Sequence, residues 1–435
     1  MNRRLCVLLP LTLLLTQTAD GQESRRRWDR MCQIRKEKFD LILPEAMREN
    51  RIDMWIVLQK EGHNDPLYED LGRGYTGSTG YYIFTDLGTE RIERVASGIS
   101  GRMLEACGVY DRVGAIDLYA FVRERDPQRI GVNMSAQIGA ADGLSHTGYL
   151  HLRETLGTPY ADRLVTAEKL VSDFRSRRVA SEIVAFGEAG EWSRRIAERA
   201  LSNEVITPGV TALEDVAWWM WDQLLANGFG SSFDMPSVYI TGPNGIEATS
   251  NERIIQRGDL LMIDWGVGYL NFYTDMKRIA YVLHEGQSAV PPGLQNAFDR
   301  ALHVRDLIKQ TIRAGRTAQE NYDAINARID AEPGYAVMAE FNRPTGTSDT
   351  EVIVGSHSVG NTGHGIGPSI AFFNPVRLTY EVKPTNLFSI EFFAYTAAAE
   401  WAGAKVRIPI EDDAVVTERG VEWLYPVVDR ILLIR

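Results

Sequence analysis

Five residues in the second half of the chain carry side chains that could bind metal ions. They are Asp264, Asp275, His364, Glu391 and Glu411. The four carboxylates stand in or beside apolar, strand-like runs, and a buried carboxylate is costly unless it is paired or binds a metal. If the four converge they repel one another, and two divalent cations would supply the missing positive charge.

The donor types indicate the chemistry. Oxygen ligands with one imidazole suit manganese, zinc, iron or cobalt rather than a thiolate-selecting metal. Two ions about 3.5–4 Å apart can activate a water molecule and polarise a carbonyl, as hydrolysis requires. We therefore expect two divalent metal ions as the cofactors.

Spacing adds weaker support. A single aspartate near a strand end is usually a turn or cap residue. Asp264 and Asp275, however, are eleven residues apart, and the glycines between them permit a hairpin in which the two carboxylates face each other. The residues by themselves lead no further than a candidate metal site.

The elements that must position these residues follow from apolar periodicity. In the first half, short apolar runs alternate with helical patterns, which favours an α/β domain. The runs lie at residues 54–58, 81–84, 92–95, 113–117 and 130–133. Residues 175–228 are helical in pattern. Short strands and glycine turns follow, interrupted by one long helix at about 294–314, which favours an α+β second domain.

The amino terminus resembles an export signal. Arg3 and Arg4 precede an apolar segment at residues 5–15, and Ala19-Asp20-Gly21 fits a small-residue cleavage site. We predict a signal peptide over residues 1–21 and an exported protein, periplasmic or extracellular. A first core helix is the alternative, and the apolar segment is too short to span a membrane.

Composition and net charge limit the classes of molecule that the protein is expected to bind. The 435 residues carry a net charge of -11 with 44% hydrophobic and 24% charged residues, which is typical of a folded globular protein. An acidic chain is a poor match for nucleic acid. We expect a peptide or small-molecule substrate, no nucleic acid and, after signal removal, no membrane. Cys32 and Cys107 could pair in an oxidising compartment or remain free.

In their order and context, the five residues resemble the signature of the creatinase/Xaa-Pro aminopeptidase/methionine aminopeptidase superfamily. Asp264 and Asp275 are spaced as in that family, and His364-Gly365-Ile366-Gly367 matches its glycine-rich histidine turn. The resemblance covers roughly residues 30–430. It implies an α/β creatinase-like amino-terminal domain at residues 22–168, followed by an α+β pita-bread catalytic domain at residues 169–435.

The resemblance also implies roles. Asp264 would bind one metal ion, His364 and Glu391 the other, and Asp275 and Glu411 would bridge both. Glu391 would also accept the proton of the attacking water. Manganese is the first choice of metal, with zinc, cobalt or iron as alternatives, and a homodimer is expected.

The chain departs from the family pattern at two active-site histidines. Thr249 stands at the first position, and Ala371 or Phe372 at the second. Losing a positioned acid or base can cost about 10²–10⁴-fold in rate. Phe392-Phe393 replaces the usual Pro-Gly, and the arginine expected two residues before Glu411 is shifted to Arg407.

Three interpretations follow. The first is an Xaa-Pro aminopeptidase or dipeptidase with substitute catalytic residues, for which His357 is the first candidate and Glu247 and Asn251 are others. The second is a metal-dependent enzyme with a non-peptide substrate and an altered aromatic pocket. Its candidate lining is Phe372, Phe373, Phe392, Phe393, Tyr395 and Trp401, although core packing explains such residues equally well. The third is a non-catalytic binding protein, which the retention of all five ligands disfavours.

Overall fold

The computed structural model describes residues 22–435, except for residues 244, 339–343, 345 and 363. The predicted signal peptide, residues 1–21, lies outside the described residues. Within the described ranges, no helix is both long and apolar enough to cross a membrane.

The first half of the chain forms one mixed sheet with helices on both faces. The helices are α1 (Glu23–Glu37), α2 (Leu43–Glu49), α3 (Tyr68–Leu71), α4 (Arg102–Cys107), α5 (Leu118–Arg125), α6 (His146–Leu156) and α7 (Glu168–Ser176). The strands are β1 (Met54–Gln59), β2 (Tyr75–Thr85), β3 (Glu93–Ser100), β4 (Arg112–Val113), β5 (Ile130–Val132) and β6 (Leu164–Thr166). The strand order is β4-β3-β2-β1-β5-β6.

Strand β1 shows why the apolar runs of this half are continuous. Trp55 and Val57 lie in one hydrophobic core, whereas Met54, Ile56 and Leu58 lie in another on the opposite face. A strand buried on both faces has no polar alternation. The predicted strand at residues 54–58 is therefore confirmed.

The second half begins with two long helices and continues mainly as strands. The helices are α8 (Ala180–Ala200), α9 (Leu213–Asn227), α10 (Pro292–Thr311), α11 (Ala318–Asp330) and α12 (Pro375–Leu378). The first strands are β7 (Gly230–Ser231), β8 (Ser237–Gly242), β9 (Gly245–Glu247), β10 (Leu260–Trp265), β11 (Val267–Tyr269), β12 (Phe272–Tyr273) and β13 (Met276–Val282). The later strands are β14 (Tyr335–Val337), β15 (Thr350–Val354), β16 (His357–Thr362), β17 (His364–Ser369), β18 (Leu387–Ala397), β19 (Lys405–Thr417), β20 (Gly420–Trp423) and β21 (Leu432–Ile434).

Two sheets of this half carry the residues discussed below. One has the order β21-β13-β10-β8-β9, and the other joins β14, β15, β18, β16 and β17, with β19 pairing β18 and β20. Helices α10 and α11 pack in a shared core with alternate residues of β18 and β19, while α8 and α9 pack against β10 and β13.

The sequence predicts one long helix after residue 290, but the structure contains a second, α11. Its start is a capping box: Thr317 and Glu320 each accept a hydrogen bond from the other's backbone N–H. Its buried apolar residues are only Ala318, Ile325 and Ile329. A helix with so few apolar positions gives a weak periodic signal, so the expectation of a single helix is wrong.

The predicted domain boundary at residue 168/169 falls at the start of α7. This helix follows the last strand of the first sheet and also contacts the second half, where the Ser172 hydroxyl donates to the carbonyl of Ile366 at 2.8 Å. Cys32 and Cys107 form a disulfide with Cα atoms 5.5 Å apart, which settles the choice that the sequence leaves open.

Candidate metal centre

The register of β18 and β19 places two of the predicted ligands opposite each other. Even-numbered residues of both strands face the core beneath α10, whereas Glu391 and Glu411 project to the other side. The two glutamates form a direct cross-strand pair. Their position thus follows from strand alternation, with the apolar partners on the far face holding the sheet in place.

The two aspartates come from the neighbouring sheet. Asp264 lies near the end of β10, and Asp275 directly precedes β13. Gly266 allows the chain to turn tightly between them, since a Cβ there would lie 1.7 Å from the carbonyl oxygen of Thr274. The hairpin predicted from the spacing brings these carboxylates close, but its register pairs Asp264 with Lys277.

The imidazoles of His357 and His364 lie side by side, with ring centroids 4.6 Å apart and nearly perpendicular planes. Strands β16 and β17 carry them, and β17 lies so close to β16 that a Cβ on Gly365 would meet Ser358 at 2.7 Å. The glycine of the histidine turn is therefore a packing requirement. His357 is buried at 2% exposure, whereas His364 is exposed.

Lys277 is the site residue that sequence reasoning misses. Its ammonium Nζ lies 3.1 Å from Asp264 Oδ2 and 2.8 Å from Glu391 Oε1, and it also contacts Glu411 Oε2. The lysine side chain is only 6% exposed. The available signal is a lysine within the apolar run of residues 276–282, at a position two residues beyond Asp275.

The electrostatics show an excess of negative charge. Burial and the neighbouring carboxylates raise the pKa of Asp275 well above its ordinary value, and burial raises the pKa of Asp264 despite the opposing effect of Lys277. Although burial opposes ionisation, the ion pair with Lys277 lowers the pKa of Glu391. One lysine therefore stabilises some of the carboxylates but not all of them.

The two imidazoles have opposite pKa shifts although the same charged groups surround them. Burial disfavours the charged form of His357, but the contacts with Glu391 and Glu411 outweigh it and raise its pKa well above the ordinary value. Desolvation and the adjacent His357 lower the pKa of His364, even though part of its ring is exposed. The closer contact of His357 with carboxylates thus leaves the pKa values of two neighbouring histidines shifted in opposite directions.

The donor atoms fit a divalent metal ion. Three buried ones, Asp264 Oδ1, Asp275 Oδ1 and His357 Nε2, have no hydrogen-bond partner in the described part of the chain. Three overlapping groups each bring one donor atom per residue within 4.8 Å of one another. They are Asp275, His357 and His364; His357, Glu391 and Glu411; and Asp264, Asp275 and Glu411. All five predicted ligands, with His357, therefore lie at one place.

Hydrogen bonds from a second layer orient these groups. Ser389 Oγ donates to Glu411 Oε1 at 2.6 Å, and the backbone N–H of Asp275 donates to Asp413 Oδ2 at 3.2 Å. Tyr425 OH in turn donates to Asp413 at 3.0 Å. Such outer contacts fix the rotamers of ligands and tune a metal.

The positions of the missing histidines offer no imidazole. Thr249 Oγ1 is occupied with the backbone of Val238, accepting from its N–H at 2.9 Å and donating to its carbonyl at 3.1 Å. Ala371 is fully buried. Glu247, a candidate substitute, is exposed and paired with Arg253 at 2.6 Å. Asn251, the other candidate, is also exposed.

The aromatic candidates divide between the core and the site. Phe392 lies in the core beneath α10, and Trp401 packs against that core. Phe393 lies on the opposite face, where its ring centroid is 5.7 Å from Lys277 Nζ and 4.1 Å from Arg407 Cζ. Phe373 is 42% exposed and close to Glu391, because a Cβ on Gly355 would lie 3.7 Å from its ring and 3.5 Å from Glu391.

A carboxylate and imidazole cluster held between two sheets is the donor set of a metal-dependent enzyme. Comparison with known families agrees, since the model of metallopeptidase family M24 matches residues 185–418. The chain belongs to this family. The resemblance noted in the sequence is thereby confirmed, as is a hydrolytic enzyme of the metallopeptidase type.

Individual relatives are distant. An uncharacterized peptidase, YqhT, from Bacillus subtilis is 25% identical over 299 residues, covering 64% of this chain and 72% of the relative. An X-Pro aminopeptidase from Thermotoga maritima has TM-score 0.62 and 18% identity, covering 89% of this chain and 99% of that one. A prolidase from Pyrococcus horikoshii has TM-score 0.59 and 18% identity, covering 92% and 99%. These structural likenesses confirm the two-part fold.

Proposed function

We propose that this metal-dependent peptidase removes the amino-terminal residue from short peptides whose second residue is proline. The observation that carries the proposal is the convergence of Asp264, Asp275, Glu391 and Glu411 with two imidazoles between the sheets. Solved proteins with the same fold are named as an X-Pro aminopeptidase and an Xaa-Pro dipeptidase, which supports the choice of substrate.

The metal supplies Lewis-acid activation of a water molecule and of the scissile carbonyl. The chain's own residues do the remaining work. Glu391 accepts a proton from the attacking water, because its side chain is 12% exposed whereas that of Glu411 is 1% exposed. Lys277 keeps Glu391 ionised and therefore able to accept.

The edge of the site suits a short proline peptide. Phe373 and Phe393 offer apolar surface beside the carboxylates for a pyrrolidine ring. Arg407, stacked on Phe393, can pair with the carboxylate at the peptide's carboxyl end. In place of the absent family histidines, the site has the buried imidazole of His357, whose Nε2 lies 3.5 Å from Glu391.

The test is release of alanine from Ala-Pro-Ala, with Ala-Ala-Ala as the comparison substrate. Metal-dependent release that is strongest for the proline peptide supports the proposal. Asp275→Asn should abolish release, and a matched change outside the cluster, Glu247→Ala, should not. Metal binding without release from either peptide would overturn the peptidase assignment in favour of a non-peptide substrate. The absent histidines and the aromatic surface specifically favour that second candidate.

Export, a dinuclear cofactor and assembly as a homodimer remain predictions. Export is supported by the amino-terminal pattern and by the Cys32–Cys107 disulfide, because disulfides persist mainly in oxidising compartments. Amino-terminal sequencing of protein recovered from its source cells would test it. A start near residue 22 is expected, and an intact residue 1 in the mature protein would contradict it.

A further inference from the structure

Lys277 changes what the five predicted ligands can do. Its ammonium touches Asp264, Glu391 and Glu411, which are three of the five. Lys277 is also the direct cross-strand partner of Asp264, so its backbone position is set by the sheet. The Lys277 ammonium, whose backbone position is fixed by the sheet, therefore already lies among these three carboxylates.

A metal ion bound by the same carboxylates would have to displace that ammonium. The lysine side chain is 6% exposed and enclosed by the two sheets, and a buried ammonium moved off its carboxylates loses the partners that offset its desolvation. If it stayed, it would lie against a divalent cation. Both outcomes oppose a metal ion held by Asp264, Glu391 and Glu411.

The three groups of potential metal donors are therefore unequal. The group of His357, Glu391 and Glu411 contains two carboxylates held by Lys277, and so does the group of Asp264, Asp275 and Glu411. The third group, Asp275, His357 and His364, contains none of the lysine's three partners. Its Asp275 Oδ1 and His357 Nε2 are buried without a hydrogen-bond partner among the described residues.

The orientation of His357 favours this group. His357 Nδ1 lies 3.0 Å from the carbonyl oxygen of Ser358, and because a carbonyl can only accept, Nδ1 carries the hydrogen. The proton that Glu391 and Glu411 favour on this ring is then on Nε2, and a metal ion that binds there displaces it and uses the lone pair. Nε2 is 3.5 Å from Glu391 and Glu411, at the outer limit of a hydrogen bond, so neither contact occupies it well. A histidine held by a backbone carbonyl with its other nitrogen free is typical of metal ligands.

We propose that the chain binds a single divalent transition-metal ion through Asp275, His357 and His364, and that the Lys277 ammonium takes the place of a second ion among Asp264, Glu391 and Glu411. Three protein ligands with open positions are typical of catalytic rather than structural sites. Two imidazoles and one carboxylate suit zinc, iron or cobalt. The proposal deepens the proposed function, and it replaces the expected pair of ions with one ion and one fixed charge.

The direct test is the number of zinc ions bound per chain. Zn²⁺ is the probe because nitrogen-rich sites bind it more tightly than manganese, so its stoichiometry can be counted. The purified full-length mature protein is stripped with a chelator, titrated with Zn²⁺ against a chromophoric competitor and checked by elemental analysis. One tightly bound zinc per chain is expected. Two tight ions, or none, would overturn the proposal.

Three variants locate the ion. His364→Ala and His357→Ala should each lower the Zn²⁺ affinity by about 100-fold or more, since even outer-layer changes cost about 10–100-fold. Asp264→Asn changes no proposed ligand and should lower the affinity by no more than about 10-fold. A two-ion centre held by the five family ligands predicts instead a large loss of affinity in Asp264→Asn and little change in His357→Ala. His364 is exposed, so its variant keeps the test valid if His357→Ala does not fold.

Lys277→Met tests the second half of the proposal. Without the ammonium, the stoichiometry should rise from one Zn²⁺ to two. Lys405→Met is the matched control, because Lys405 also forms a partly buried ion pair, with Glu351 at 2.9 Å, but lies outside the cluster. Lys405→Met should still bind one Zn²⁺ per chain. A count of one in Lys277→Met would show that the lysine does not hold the place of an ion.

These counts do not depend on peptide cleavage. Suppose that the protein binds one zinc, that the histidine variants lose it, and that the protein releases no alanine from Ala-Pro-Ala. This result would reject the proposed substrate but support the single-ion site. Peptide release with two zinc ions per chain would reject the single-ion site and leave the proposed function standing.

Discussion

Two buried clusters of charge have opposite imbalances. The metal centre sets one lysine among four carboxylates, whereas an arginine cluster at the junction of the two halves sets three cations against two carboxylates. We define the arginine cluster as Lys38, Asp70, Arg175, Arg178 and Glu182. Its ion pairs are Arg175–Asp70 at 3.2 Å, Arg178–Glu182 at 3.0 Å and Lys38–Glu182 at 3.4 Å.

The contacts around the surplus charge differ between the arginine cluster and the metal centre. Around the arginine cluster, Lys38 donates to the carbonyl of Arg177 at 2.6 Å and lies 4.9 Å from the ring centroid of Phe174. Fixed protein groups thus cover the positive charge of Lys38. In the metal centre, Asp275 Oδ1 and His357 Nε2 are buried without a hydrogen-bond partner among the described residues. The two clusters differ in the sign of their surplus charge, so an added cation would neutralise the metal centre but not the arginine cluster.

The largest expected effect comes from breaking the metal centre. Asp275→Asn removes a negative ligand, and we expect peptide release to fall by about 10³-fold, since Lewis-acid stabilisation contributes several kcal/mol and each 1.36 kcal/mol is tenfold in rate. Steady-state kinetics on Ala-Pro-Ala measure this loss. Thermal unfolding serves as the control for folding, and full activity in the variant would remove Asp275 from the mechanism.

Breaking the arginine cluster should affect stability instead. Glu182→Gln leaves Lys38 and Arg178 without their buried carboxylate, and losing one partner of a buried pair costs about 3–5 kcal/mol. Urea unfolding measures the difference, and the turnover of the folded variant should be unchanged. Glu198→Gln, which breaks a more exposed pair with Arg194 on the same helix, is the matched control and should cost much less. Equal losses in the two variants would contradict the account.

A pH experiment sharpens the same contrast. Burial lowers the pKa of Lys38 to about 8 from 10.5, so the folded protein releases this proton at a lower pH than the unfolded chain does. The penalty for burying the charge is fully present below pH 8 and is lost as the pH rises towards 10.5. The free energy of unfolding should therefore rise across this window by about 3 kcal/mol from this group. Lys38→Met should lack that rise, and an identical slope in both proteins would show that Lys38 does not titrate this way.

The smallest effect is expected at Glu247, a candidate substitute for the missing histidines. Its carboxylate is exposed and pairs with Arg253, so Glu247→Ala should leave turnover on Ala-Pro-Ala within about twofold, because exposed ion pairs contribute little. A large loss of kcat with normal folding would place Glu247 in the reaction after all.

Much of the site can be predicted from sequence because its residues interrupt strong patterns. Glu391 and Glu411 stand out as charges within apolar strands, and the structure pairs them across β18 and β19. Lys277 breaks its strand in the same way but carries the opposite charge, so a search for ligands passes over it. Its role depends on the register that sets it opposite Asp264, which one sequence does not reveal.

The fold shows a similar division. The buried strand β1 is clear from a continuous apolar run, whereas helix α11 depends on a capping box and a narrow stripe that a search for long periodic segments overlooks. The pairing of Cys32 with Cys107 requires α1 and α4 to meet, a contact across 75 residues of sequence that no local pattern encodes.

The most direct test of the metal centre is alanine release from Ala-Pro-Ala by chelator-stripped protein, measured as Mn²⁺ or Zn²⁺ is added back. Because the unpartnered donor atoms of Asp275 and His357 are expected to bind a catalytic ion, we predict no release from the stripped protein and recovery that saturates with added metal. Undiminished release after stripping, or no release at any concentration of either metal, would contradict a catalytic ion at this centre.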